Sequence, residues 1–208
     1  MRPSYDFNNT ITVLVSKTEQ EFTVHKDPIC AKSKFFNAAC SERWNGLRSS
    51  DGKQRAIRLP ETSVRDSQAY VHWIYTSQIE VEGDDADKKH DDHIDMYILG
   101  DLLDDYQLRN AALEKLIMNL PFAMYHPGIV VITHVYECTP VGSPLRKLLV
   151  DRKICRGDRD DFAADLHKYP VEFTQEVALA LMSQTAFTSR LSLIRRLKEG
   201  IRTETGDA

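Results

Sequence analysis

Apolar positions change their period along this chain, and the changes mark its elements. Thr10 to Val15 reads TITVLV, a β-branched run bounded by Asn8-Asn9 and Ser16-Lys17, which predicts a strand. Glu21 to His25 alternates polar and apolar residues and returns as its hairpin partner. The spacing then turns helical. Asp27-Pro28 is a cap-plus-first-turn signal for a short helix carrying Ile29, Cys30 and Ala31, and Ser33 caps a second with Phe35, Phe36, Ala39 and Cys40. A polar loop over 46–54 leads to a short strand, Ala56 to Leu59, closed by Pro60. Val64, Val71, Ile74 and Tyr75 predict a helix, and Gln78 to Val81 one more short strand. Met96, Leu99, Leu102 and Leu103 form the next helical stripe. Leu108, Ala112, Leu116 and Leu120 form another, with Asp104-Asp105 as its cap.

Beyond Pro121 the strand signals mostly stop. Ile129 to Tyr136 is β-branched, but its length and flanks favour helix. Ser143-Pro144 opens a helix from Leu145 to Cys155, and Pro170 opens one with Phe173, Val177, Ala180 and Leu181 on a face. Leu191, Ile194 and Leu197 suggest a last amphipathic helix. A mixed α/β front is thus followed by an all-helical rear, with a boundary near 120–127 and no internal repeat.

Composition narrows the function. Among 208 residues, 42% hydrophobic and 28% charged content fits a folded globular chain. A net charge of −4 disfavours a dedicated nucleic-acid binder. No apolar stretch is long enough to span a bilayer, and the first residues lack a hydrophobic signal core. The four cysteines match no zinc module and are expected as reduced thiols, in the cytoplasm or nucleus. Between Glu80 and Asp95 eight acidic residues face two lysines, a composition that reads as a mobile surface loop.

Candidate chemistry is sparse. His90 and His93, amid aspartates, share a helical face, yet the segment lacks a calcium-loop pattern and reads as solvated charge rather than a metal site. Cys30 or Cys138 with His25, His72 or His134 carries no nucleophile signature, and no serine elbow or phosphate-binding glycine loop occurs. The simplest reading of His25-Lys26 is a structural imidazole bonded to a backbone carbonyl beside a solvated lysine. The basic run Arg146, Lys147, Arg152, Lys153, Arg156 and Arg159 reads as a solvated helix face with Leu145, Leu148, Leu149 and Ile154 inward. Catalytic, metal and cofactor sites are therefore all expected to be absent.

Certain segments resemble a known family. Phe22 to Phe36, with its strand ending His25-Lys26 and leading through a turn to Ser33-Lys34-Phe35-Phe36, resembles the front of a BTB/POZ domain. So do Arg58-Leu59-Pro60, Trp73-Ile74-Tyr75-Thr76, and Tyr97 to Asp105 with Leu108 to Ala111. Tyr136 with Thr139-Pro140, Ser143-Pro144-Leu145-Arg146 and Leu149 with Asp151 are similar to the helical tail of the fungal branch. The resemblance implies an α+β fold: a tail over 1–9, a small sheet flanked by a helix cluster over 10–120, and an all-helical C-terminal extension over 121–208. Ser67 stands where the family places a large apolar residue, and Ser77 where it places glycine. The first strand lacks the family's usual Asp, and nine residues before it leave no room for the exchanged strand and helix of many dimeric members.

The resemblance implies a non-catalytic protein–protein interaction module that binds other proteins, a second copy of itself included, and neither nucleic acid nor membrane. A cullin-adaptor role is the alternative. It is disfavoured because no Glu lies between Arg43 and Arg55 for the expected hydrophobic-x-Glu motif, and no substrate-reading domain follows. With Thr10 to Val15 taken as an exposed edge open to strand addition, Ile11, Val13, Val15, Phe35 and Phe36 are the expected interaction surface.

Overall fold

A computed structural model describes residues 5–41, 56–80, 86–118 and 127–182. Two compact units result: one holds residues 1–84 and 95–112, the other 85–94 and 113–208.

The first unit is built on a three-stranded sheet in the order β2-β1-β3, with β1 Thr10–Val15, β2 Gln20–His25 and β3 Ile57–Leu59. β1 runs antiparallel to β2, pairing Ile11 with Val24 and Val13 with Phe22, and parallel to β3. Its period of two turns Ile11, Val13 and Val15 to one face, where all three are buried. Among the described residues five helical segments belong to this unit: α1 Lys26–Lys32, α2 Lys34–Ala39, α3 Val64–Thr76, the C-terminal part of α4 Ala86–Leu102 and the N-terminal part of α5 Tyr106–Met118. They bury Ile29, Phe36, Tyr70, Trp73, Ile74, Leu99, Leu103 and Leu108.

Local chemistry sets the helix ends. Ser33 caps α2 by accepting from the Phe36 N–H, and Ser63 caps α3 by accepting from Asp66. α1 starts two residues earlier than expected, at Lys26, with His25 in the cap position. Asp27 lies inside its first turn and accepts instead from the Asp6 N–H at 2.8 Å. Ser77 ends α3 with φ 56°, the left-handed conformation for which glycine is cheaper. Gly100 lies so close to α5 that a Cβ there would stand 3.0 Å from the Arg109 nitrogen.

In the second unit α6 Ile129–Cys138, α7 Pro144–Arg156, α8 Arg159–Ala164, a 3₁₀ turn Leu166–Lys168 and α9 Val171–Met182 follow the rest of α4 and α5. Helix wins at Ile129–Cys138 because that periodicity buries Ile132, Val135 and Tyr136 together. Tyr136, Phe162, Tyr169 and Phe173 form an aromatic cluster.

Several expectations change. No strand forms over 78–80; the rest of that segment, the loop over 46–54, the boundary near 120–127 and the helix through Leu191 lie outside the described residues. The acidic stretch is helical from Ala86 onward, with His90, Asp92 and His93 buried. Its charges flank helical apolar positions that composition alone does not reveal. Leu102 and Leu181 leave their stripes and are 56% and 59% exposed. Leu102 is the last residue of α4 and stays at the surface, while Leu103, just past the helix end, turns inward.

Ser67 leaves the space of the missing apolar side chain only partly filled. A cavity of about 20 Å³ borders Ser67, Val13, Val24, Phe36, Tyr70 and Leu99. Thr62 Oγ1 lines the same space, buried without a hydrogen-bond partner. Ser67 Oγ donates to the Ser63 carbonyl, which also accepts from the Ser67 N–H. Ser67→Val therefore strands no polar group, and it should raise unfolding free energy by about 1 kcal/mol. Urea titration measures this, and a loss would show the space to be occupied.

Burial lowers the His93 pKa from its ordinary value; His90 and Lys115 add to that effect, while a hydrogen bond to the Lys89 carbonyl and the Asp92 charge oppose it. A depressed folded pKa stabilises the fold above the unfolded value of 6.5 and loses that contribution as pH falls below it. Stability measured from neutral pH down into the acid range should therefore decline, and less steeply in His93→Leu.

Candidate interaction surface

A single turn joins three helices of the first unit. Between α4 and α5 the chain reverses through Leu103, Asp104 and Asp105, with Asp104 at φ 48°. Asp105 is fully buried. One carboxylate oxygen accepts from the Leu108 N–H at 3.0 Å, capping α5. The other accepts from Trp73 Nε1 at 2.9 Å and the Tyr70 hydroxyl at 3.4 Å, both on α3. Burial and the Asp105 charge hold the Tyr70 hydroxyl well above its usual range. Lys32 Nζ lies 4.3 Å above the Trp73 ring and donates to Ser77 Oγ. Burial lowers its pKa, and the Asp105 charge opposes that shift.

The buried Ser33 hydroxyl donates to the Leu103 carbonyl, at 2.5 Å, while capping α2. Lys34 and Phe35 amides donate to the Asp104 and Leu103 carbonyls. The start of α2 is thereby fixed to the α4–α5 turn. Around this joint three large side chains stay at the surface: Phe35 is 36%, Leu102 56% and Tyr106 40% exposed. An ordered frame carrying exposed aromatic and aliphatic groups is what a protein partner recognises.

A second aromatic group surrounds His25. Its Nδ1 lies 2.8 Å from the Tyr75 hydroxyl, which also accepts from the His25 N–H. Phe7 packs edge-on against the imidazole at 5.2 Å. The imidazole is structural, but its partner is a phenol rather than a carbonyl.

Most of the expected surface lies elsewhere. β1 is the central strand, not an edge: it pairs with β2 along its whole length and with β3 from Val13 to Val15. Ile11, Val13, Val15 and Phe36 are core residues, each less than 5% exposed. Of the five, Phe35 alone reaches solvent. Leu102 and Tyr106 were missed; the adjacent Leu102-Leu103 pair was the available signal.

The basic stretch is not a uniform solvated face. Arg146 is buried, stacks on the Tyr136 ring at 4.3 Å, and donates to the Tyr136 and Thr139 carbonyls at the end of α6. Arg152, also buried, donates to the Leu116 carbonyl near the end of α5 at 2.8 Å. Each guanidinium closes a helix C-terminus, where a cation complements the helix dipole. Lys147 and Arg159 are exposed.

His134 and Cys138 do meet, one turn apart on the exposed side of α6, with Nδ1 and Sγ 3.7 Å apart. Among the described residues no three His, Cys, Asp or Glu side chains gather as a metal site requires, and no helix is long and apolar enough to cross a membrane.

A small sheet with helices locked around one buried carboxylate, and apolar side chains held at a rigid helix junction, is the build of an α+β interaction domain. The family model for the BTB/POZ domain matches residues 5–119, and the chain belongs to that family. BTB/POZ domains are protein–protein interaction modules, generally non-enzymatic, which self-associate or bind other proteins, cullins among them.

Proposed function

We propose that this protein is a non-catalytic scaffold of the cytoplasm or nucleus, acting by self-association or heterotypic binding through the face carrying Phe35, Leu102 and Tyr106. The observation that carries this reading is the exposure of these three side chains around a joint that Ser33 and Asp105 fix. Preorganised side chains lose little entropy on binding. Self-association or another protein is preferred to cullin recruitment because Arg43 to Arg55 contains no Glu.

Membership in the fungal branch, with its helical tail, is part of the same reading. Its support is that Tyr136 and Thr139, from one piece of the tail series, meet Arg146, from the next, in one hydrogen-bonded cluster.

Serine at Phe35, Leu102 and Tyr106 removes the large side chains that reach solvent at this joint. Light scattering should find wild-type chains associated and the triple variant weakened by about tenfold or more. If the wild type is monomeric, affinity purification should recover partners, a cullin N-terminal domain being one arm, that the variant loses. A variant unchanged in both mass and partners would overturn the reading.

A further inference from the structure

Cys30, half-buried on α1, and Cys40, buried just after α2, converge on one main-chain oxygen. Cys30 Sγ donates to the Phe36 carbonyl at 3.6 Å, and the Cys40 N–H donates to the same carbonyl at 2.9 Å. Each thiol also shifts the other's titration, as neighbouring side chains do. α1 and α2 are joined only through Ser33, whose side chain is held by its own bonds, so the encounter belongs to the folded frame. We infer that Cys30 and Cys40 are a dithiol site that peroxides oxidise to an intramolecular disulfide stapling α1 to the end of α2.

The chemistry balances. The Cys40 thiolate attacks one peroxide oxygen; the O–O bond breaks, a Cys40 sulfenic acid forms, and the departing hydroxide leaves as water after taking a proton. Cys30 sulfur then attacks the sulfenic sulfur. The S–S bond forms, the S–O bond breaks, and the second hydroxide leaves as water with the Cys30 proton. Two thiols are oxidised and one hydrogen peroxide is reduced to two waters.

The environment suits these roles. The Cys30 S–H and the Lys26 charge bring the Cys40 thiol down to about 7, against the opposing effect of burial. Cys30 holds the shared proton and is pushed well above its usual range. A peroxide is close to water in size, and Cys30 is only half-buried.

The test uses the full chain with Cys138→Ser and Cys155→Ser, treated with hydrogen peroxide. Expected are a mass loss of two hydrogens, a peptide map joining Cys30 to Cys40, reversal by dithiothreitol, and a rate that rises with pH through about 7. Melting temperature should differ between oxidised and reduced protein, but not after Cys40→Ser. Separate sulfinic acids at the two positions, a disulfide between chains, or both thiols surviving peroxide that oxidises the urea-unfolded chain would each overturn the proposal.

Discussion

The Asp105 carboxylate is the point on which the interaction unit depends. A buried carboxylate is costly unless its oxygens find donors. Here those donors come from α5 and from two aromatic side chains of α3. The same group therefore starts one helix and ties it to another. Ser33 repeats this economy: one hydroxyl caps α2 and donates into the α4–α5 turn. Between them, the two side chains join α2, α3, α4 and α5 with hydrogen bonds that accept little variation in length or angle.

This arrangement explains why the exposed side chains have defined places. Phe35 follows directly from the Ser33 cap, and Tyr106 directly from Asp105; Leu102 precedes the carbonyl that Ser33 holds. The polar joint is buried together with Phe36, Leu103 and Leu108, while Phe35, Leu102 and Tyr106 beside it reach solvent. In the second unit buried arginines do comparable work at the helix C-termini, Arg146 on the α6 carbonyls and Arg152 on the α5 carbonyl. Serine and aspartate at helix starts and arginine at helix ends complement the same backbone dipole from its two poles.

The elements were largely legible because their signals are local. TITVLV, a short β-branched run between turn residues, forms the expected strand, and Ser33 and Ser143 cap helices as their positions suggest. Burial was less legible because it depends on neighbours distant in sequence. β1 alternates as a half-exposed edge would, yet β3, more than forty residues later, pairs its second edge, and residues such as Ile29, Phe36, Tyr70 and Leu99 cover the face that carries Val13 and Val15. Phe35-Phe36 and Leu102-Leu103 each offer two equal candidates, and only the position of the opposing helix decides which turns inward. The arginines misled for the same reason: charge predicts solvent unless a helix terminus waits nearby.

Urea unfolding of Asp105→Ala, followed through the first unit, tests the dependence on this carboxylate most directly. The account predicts a loss of about 3 kcal/mol or more, because the Trp73 indole N–H and the Leu108 N–H lose their acceptor. A variant as stable as the wild type, with the Leu108 amide equally protected from exchange, would contradict it.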